Sequence, residues 1–141
     1  MKKIFISSDH AGFKLKESIK DYLKNKKVKF VDLGPNDESS VDYPDYAHKV
    51  AKKVKLNKRN VGILVCGSGT GMNIAANKHK NVRAAQCFNL KSTKLSRLHN
   101  DANIITLGSR LTKKNIAFKC IEVFVNTKFE GGRHKKRVKK I

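Results

Sequence analysis

A chain of 141 residues with 39% hydrophobic content can fill one compact core and no second one, so residues 1–141 read as a single domain. The formal net charge of +21, from 32 Lys and Arg against 11 Asp and Glu, attracts an anionic partner: nucleic acid, an acidic membrane or a phosphorylated substrate. No apolar run approaches the roughly 20 residues of a membrane helix, and Ile4, Phe5 and Ile6 give way at once to Ser7, Ser8, Asp9 and His10, too short for a signal-peptide core; the expectation is a soluble, cytoplasmic protein with no membrane partner.

The first apolar run, Lys3–Ser7, is followed by a segment with Leu15, Ile19, Tyr22 and Leu23 on one helical face. Val28–Leu33 forms the second run, closed by the turn residues Gly34, Pro35, Asn36 and Asp37. Tyr46, Ala47, Val50, Ala51 and Val54 then mark a helix at i, i+4, i+8 spacing. The third run, Val61–Cys66, is continuously apolar, as a strand buried on both faces should be. It ends in a glycine-rich loop and a short helix over Met72–Lys78. The fourth run, Val82–Phe88, precedes a helix from about Lys91 to Leu98, and the fifth is Asn103–Leu107. A long helix with Ile116, Ala117, Cys120, Ile121 and Phe124 facing inward leads to a basic C-terminal segment, residues 129–141, that is easily mistaken for a disordered extension. Strands alternating with helices at this spacing predict a three-layer α/β/α, Rossmann-like domain on a five-stranded parallel sheet.

Ligands of such open sheets gather beyond the carboxyl ends of the strands. Three stretches therefore stand out: Ser8–Gly12 after strand one, Cys66–Gly71 after strand three, and Gly108, Ser109 and Arg110 after strand five. The loop Gly67, Ser68, Gly69, Thr70, Gly71 alternates glycine with small hydroxyls before a helix, which lets backbone N–H groups converge on an anion. It lacks the Gly-Lys-Ser/Thr of a Walker loop and the spacing and position of the dinucleotide fingerprint, and a plain tight turn would look the same. Cys66 enters this loop at a strand end beside a helix start, a setting that favours the reactive thiolate. Such a thiolate suits nucleophilic attack on a carbonyl, or proton abstraction beside one with the N–H donors holding an enediolate; spacing does not separate the two.

Other cysteines fit simpler roles. Three cannot all pair, none has CxxC spacing, and neither a disulfide framework nor a metal site is expected; Cys87 and Cys120 read as small buried hydrophobes. Asp9 and His10 are costly to bury without a task, although Asp9 also suits a helix cap. His99, followed by Asn100 and Asp101, follows the fourth helix, where a histidine often serves as a cap. Six arginines leave 26 lysines among the 32 basic residues, and the lysines spread over every helical segment as a solvated surface does. Arg133 and Arg137, four apart among lysines, look placed for a phosphate, which the guanidinium fork grips with two hydrogen bonds.

The strings SDHAG at 8–12, DYPDYA at 42–47, CGSGTGMNIAANK at 66–78, HNDAN at 99–103, LGSR at 107–110 and GGRHKKRV at 131–138 together resemble the type B ribose-5-phosphate isomerases, whose superfamily includes the galactose-6-phosphate isomerase subunits. The resemblance runs from the first strand to the tail. It implies a homodimer, or a dimer of dimers, that interconverts ribose 5-phosphate and ribulose 5-phosphate through an enediolate without metal or cofactor. It further implies Cys66 as the base between C1 and C2, the loop Gly67–Gly71 on the sugar oxygens, and His99 as the acid that opens the furanose ring. Asp9, His10, Tyr43 and Asn100 match sugar-contacting positions, and Arg110, Arg133 and Arg137 match positions near the phosphate.

Three departures are visible. The loop hydroxyls are rearranged relative to many relatives; Met72 stands where one branch carries a glutamate base, which puts this chain in the cysteine branch; and Gln86 to Asn89 lie where relatives often have a histidine, with no role attached. Two alternatives are a hexose-phosphate isomerase, acting on allose or galactose 6-phosphate, and a basic nucleic-acid-binding module. The second lacks aromatic platforms, with 7% aromatics and no Trp. Topology also raises a problem of reach. A helix of eight to ten residues spans roughly 12–15 Å, which sets His99 at the opposite sheet edge from Cys66; if His99 is catalytic, either the loop after the fourth helix doubles back or His99 serves the other subunit's site, and the second is expected.

Overall fold

The computed structural model describes residues 2–141. Five strands, β1 (Ile4–Ser8), β2 (Val31–Asp32), β3 (Val61–Cys66), β4 (Ala84–Gln86) and β5 (Ile104–Gly108), form one parallel sheet in the order β2-β1-β3-β5-β4. Helices α1 (Phe13–Asn25), α2 (Tyr43–Val54), α3 (Thr70–Ala76), α4 (Leu90–Asn100), α5 (Lys114–Asn126) and α6 (Arg133–Val138) complete it. Successive strand residues point to opposite faces, and the helices divide accordingly. Ile6, Ile63, Val65 and Leu107 pack against Leu15 and Ile19 of α1 and Ala117, Cys120 and Phe124 of α5. Phe5, Leu64 and Ile104 face Ala47, Val50 and Val54 of α2 and Met72 and Ala76 of α3. The same alternation puts Cys66 on the α2–α3 side, two residues beyond Leu64. The expected three-layer α/β/α fold is the observed one.

Edge strands are shorter than the apolar runs that mark them. The N–H of Val28 donates to the carbonyl of Leu23, closing α1, and the N–H of Val82 donates to His79, so neither N–H is available to a ladder. Helix α4 is longer than expected. Asn89 caps its start, accepting from the Ser92 N–H at 2.8 Å, and the left-handed Asp101, φ 47°, ends it. Arg97 holds the Asp101 carboxylate at 3.0 Å, so His99 and Asn100 belong to the last helical turn instead of following it. Helix α3 starts two residues before the expected Met72, because Gly69 at φ +82° opens it. The basic tail is not an extension without structure: Arg133–Val138 is helical and buries His134.

No described helix is long and apolar enough to cross a membrane.

Candidate active site

Parallel pairing aligns the carboxyl ends of β1, β3 and β5, with Ser8 beside Val65 and Cys66 beside Gly108. The loops that leave them are tied together. The Asp9 N–H donates to Val65, the Ser109 N–H to Cys66, the Arg110 N–H to Gly67, and the Ser109 hydroxyl to the Ala11 carbonyl at 2.9 Å. Asp9 does what a cap does, accepting from the Gly12 N–H at 2.9 Å, and it also lines the cavity that these loops enclose. That cavity of about 310 Å³ brings together Asp9, His10, Tyr43, Cys66, Gly67, Ser68, Gly71 and Arg110.

Cys66 is 4% exposed, and the Gly69 N–H donates to its Sγ at 3.1 Å. Gly69 needs its left-handed conformation to aim that N–H. Gly67 and Gly71 are close-approach positions: a Cβ on Gly67 would sit 2.8 Å from Arg110 Nη1, and one on Gly71 2.6 Å from the Tyr43 ring. The Thr70 N–H donates to Ser68 Oγ at 3.2 Å, and Thr70 opens α3 at the exposed end of the loop. The Val41 N–H donates to His10 Nδ1 at 3.2 Å, leaving Nε2 as the ring's donor. Burial pushes the thiols of Cys87 and Cys120 up, which disfavours their thiolates; both sit in the core, as their sequence context implied.

Gln86 has a job that its sequence context did not reveal. Its amide nitrogen donates to the Ser68 carbonyl at 2.8 Å and to Thr70 Oγ1 at 2.9 Å, bracing the loop from the end of β4. Nothing local marks a glutamine at a strand end for such a contact.

His99, Asn100, Arg133 and Arg137 do not line this cavity. β5 begins four residues after Asn100, with Ile104 beside Gly62, and reaches Cys66's level only at Gly108. That is about 13 Å of strand. Arg110 lines the cavity, and Arg133 and Arg137 do not. At this far edge α6 packs on α4: His134 stacks on His99 with ring centroids 4.2 Å apart and planes 16° apart. Glu130 Oε2 lies 3.7 Å from His99 Nε2 and 3.8 Å from His134 Nε2. Enclosure by its neighbours, then His99 and Arg133 beside it, hold the His134 imidazole below the usual histidine range. Among the described residues these three offer metal-ligating atoms within 4.8 Å of one another. A metal lies close to the plane of each imidazole that binds it, and two nearly parallel stacked planes share no such point, so an ion would require one ring to turn. Glu130 is an acid among the basic residues of 128–140, a signal that the sequence did offer.

A strand-end thiol beside an N–H-rich loop, over a cavity walled by polar side chains and an arginine, defines an enzyme site for a small anionic substrate. The model of the Ribose/Galactose Isomerase family matches residues 4–141, and the chain belongs to that family. It is 41% identical over 141 residues to ribose-5-phosphate isomerase B of Escherichia coli K12, covering 100% of this chain and 95% of the relative. A crystal structure of the ribose 5-phosphate isomerase of Thermotoga maritima superposes with a TM-score of 0.95 at 47% identity, covering 99% of this chain and 96% of that one. The ribose-5-phosphate isomerase B of Mycoplasma genitalium, solved with bound ribulose-5-phosphate, gives 0.94 at 46% identity over 98% of this chain and 92% of the other.

Proposed function

We propose that this chain is a type B ribose-5-phosphate isomerase that interconverts D-ribose 5-phosphate and D-ribulose 5-phosphate, with Cys66 as the base. The observation that carries the reading is the Gly69 N–H held 3.1 Å from Cys66 Sγ inside a cavity walled by Asp9, His10, Tyr43 and Arg110. The thiolate takes the proton from C2 of the open aldose as the C1 carbonyl electrons move onto oxygen. It returns the proton to C1 while the ketone forms at C2, with one proton passing between O1 and O2. Backbone N–H groups of the Gly67–Gly71 loop other than those of Gly69 and Thr70, with the Ser68 and Thr70 hydroxyls, stabilise the enediolate. Asp9, His10 and Tyr43 hold sugar hydroxyls. No step calls for a metal or cofactor.

The remaining parts come from a second copy of the chain. His99 of the partner subunit opens the furanose, Asn100 of the partner subunit binds the sugar, and Arg133 and Arg137 of the partner subunit join Arg110 on the phosphate. Two facts support this assembly: His99 and Asn100 end α4 a strand length from Cys66, with α6 packed beside them through His134, and apolar surface is exposed by Leu90 and Leu95 on α4 and by Leu111 beside the cavity. The setting is the cytoplasm. Purified protein in EDTA, assayed against pentose and hexose phosphates, tests the reading. It predicts ribose 5-phosphate as the best aldose; a higher kcat/KM for allose or galactose 6-phosphate, or turnover restored only by a divalent ion, contradicts it.

A further inference from the structure

We propose that Glu130 and His134 are positioning residues for His99: the stacked His134 ring fixes the plane of the His99 imidazole, and the Glu130 carboxylate holds it as a proton donor. This rests on the reading of His99 as the acid that opens the sugar ring.

The tail is strapped to α4 in a way that serves this arrangement. The Glu130 N–H donates to the Leu98 carbonyl at 3.1 Å, and the His134 N–H donates to Gly131 at 3.0 Å as α6 begins. These two bonds bring the carboxylate and the second imidazole to His99. His134 is 7% exposed, and its Nε2 is buried with no hydrogen-bond partner. A buried nitrogen left unpaired is costly, which marks the spot as more than a place for the tail to rest. At 3.7 and 3.8 Å the carboxylate oxygen is beyond hydrogen-bond length from either ring nitrogen and acts on both as a charge. The surroundings are otherwise cationic. Arg133 and Arg137 crowd the pair, and the Asp101 carboxylate is already taken by Arg83 at 3.2 Å and Arg97 at 3.0 Å. Glu130 is the counter-charge at hand for a protonated His99.

Ring opening moves one proton onto the sugar. His99 gives its proton to O4 as the C1–O4 bond breaks and its electron pair stays on O4, while the O1 hydroxyl loses its proton to water and C1=O forms. Ribose 5-phosphate needs this step, because its C1 aldehyde closes on O4. Ribulose 5-phosphate does not: its carbonyl is at C2, and O5, the oxygen that would close a furanose, carries the phosphate. A residue that serves His99 therefore matters for the aldose and much less for the ketose.

The test measures initial rates of the full-length enzyme from each sugar phosphate, for wild type, His99→Gln, Glu130→Gln and His134→Phe, which keeps a stackable ring without the nitrogens. Glu130 is exposed, so Glu130→Gln should fold, and thermal midpoints verify it. The proposal expects Glu130→Gln to lower the ratio of the ribose rate to the ribulose rate by roughly tenfold, in the same direction as His99→Gln but less. His134→Phe should lower it less than Glu130→Gln does. If His99→Gln shifts the ratio and Glu130→Gln leaves it at the wild-type value, the proposal is overturned while the role of His99 stands. If His99→Gln slows both directions alike, the ring-opening role falls and the proposal with it.

Discussion

Cys66 and Gly69 form one unit: the left-handed turn at Gly69, φ +82°, aims its N–H at the Cys66 sulfur over 3.1 Å. The thiol is thereby fixed at the end of β3, while Gln86 braces the rest of the loop through the Ser68 carbonyl and Thr70 Oγ1. A strand end, a positive-φ glycine and a helix start are therefore parts of a single device.

Cys66→Ala should lower kcat by at least about 100-fold with circular dichroism unchanged, since a positioned general base typically contributes that much or more. Cys87→Ala and Cys120→Ala should keep the rate and lower the thermal midpoint, because both side chains sit in the core. A Cys66→Ala enzyme with more than about a tenth of the wild-type rate would rule Cys66 out as the base.

Gly67→Ala is expected to act through Arg110. The new methyl would meet Arg110 Nη1 at 2.8 Å, and the tip of a long side chain can swing away without unfolding anything. The predicted outcome is a KM for the sugar phosphate raised roughly tenfold, a smaller change in kcat, and a thermal midpoint near wild type. A large drop in stability with unchanged KM would mean the contact is only packing.

Much of the fold was legible because buried parallel strands read as apolar runs and their helices keep one apolar face. Val61–Cys66 was placed to the residue. Edge strands were not, since Val28 and Val82 spend their N–H groups on neighbouring turns. The same limit hid the end of α4: the stop at Asp101 depends on a left-handed residue held by Arg97, and a sequence does not announce that contact. Cys66 and its loop stood out because glycines and hydroxyls at a strand end are poor core. Gln86 did not, because its two bonds to the loop are long-range and its neighbours say nothing of them.

Lys16 is fully buried, bonded to both Asp32 oxygens at 3.0 Å and to the Pro35 carbonyl at 2.8 Å. Burial alone would raise the Asp32 carboxyl, but Lys20, the Gly34 N–H and Lys16 together outweigh it and hold it below the usual carboxylate range. The stabilisation this gives is complete above the unfolded value of about 4 and is lost as pH falls through the folded one. Asp32→Asn should cost about 2–4 kcal/mol at pH 7, because it leaves the buried ammonium only the Glu17 carboxylate, at 3.4 Å, as counter-charge, and should flatten the acid limb of the stability curve. Lys16→Met should cost less. Equal losses in urea melts would contradict this ordering.

Arg137→Ala should weaken binding of the sugar phosphate by roughly tenfold or more, whereas Lys140→Ala, three residues on in the same tail, should change it by less than about twofold. Titration of a non-turning substrate analogue with each variant measures this. Equal effects would mean that the tail acts as a diffuse positive field.

The central claim is that Cys66 of one subunit and His99 of the partner subunit make one site. Mixing Cys66→Ala with His99→Ala protein under conditions of proven subunit exchange tests it most directly, with ribose 5-phosphate as substrate. Half of the dimers are then mixed, and each mixed dimer has one intact site and one doubly damaged one, so activity should return to about a quarter of wild type. Activity that stays at the level of the separate variants, despite exchange, would mean that both residues act within the same subunit.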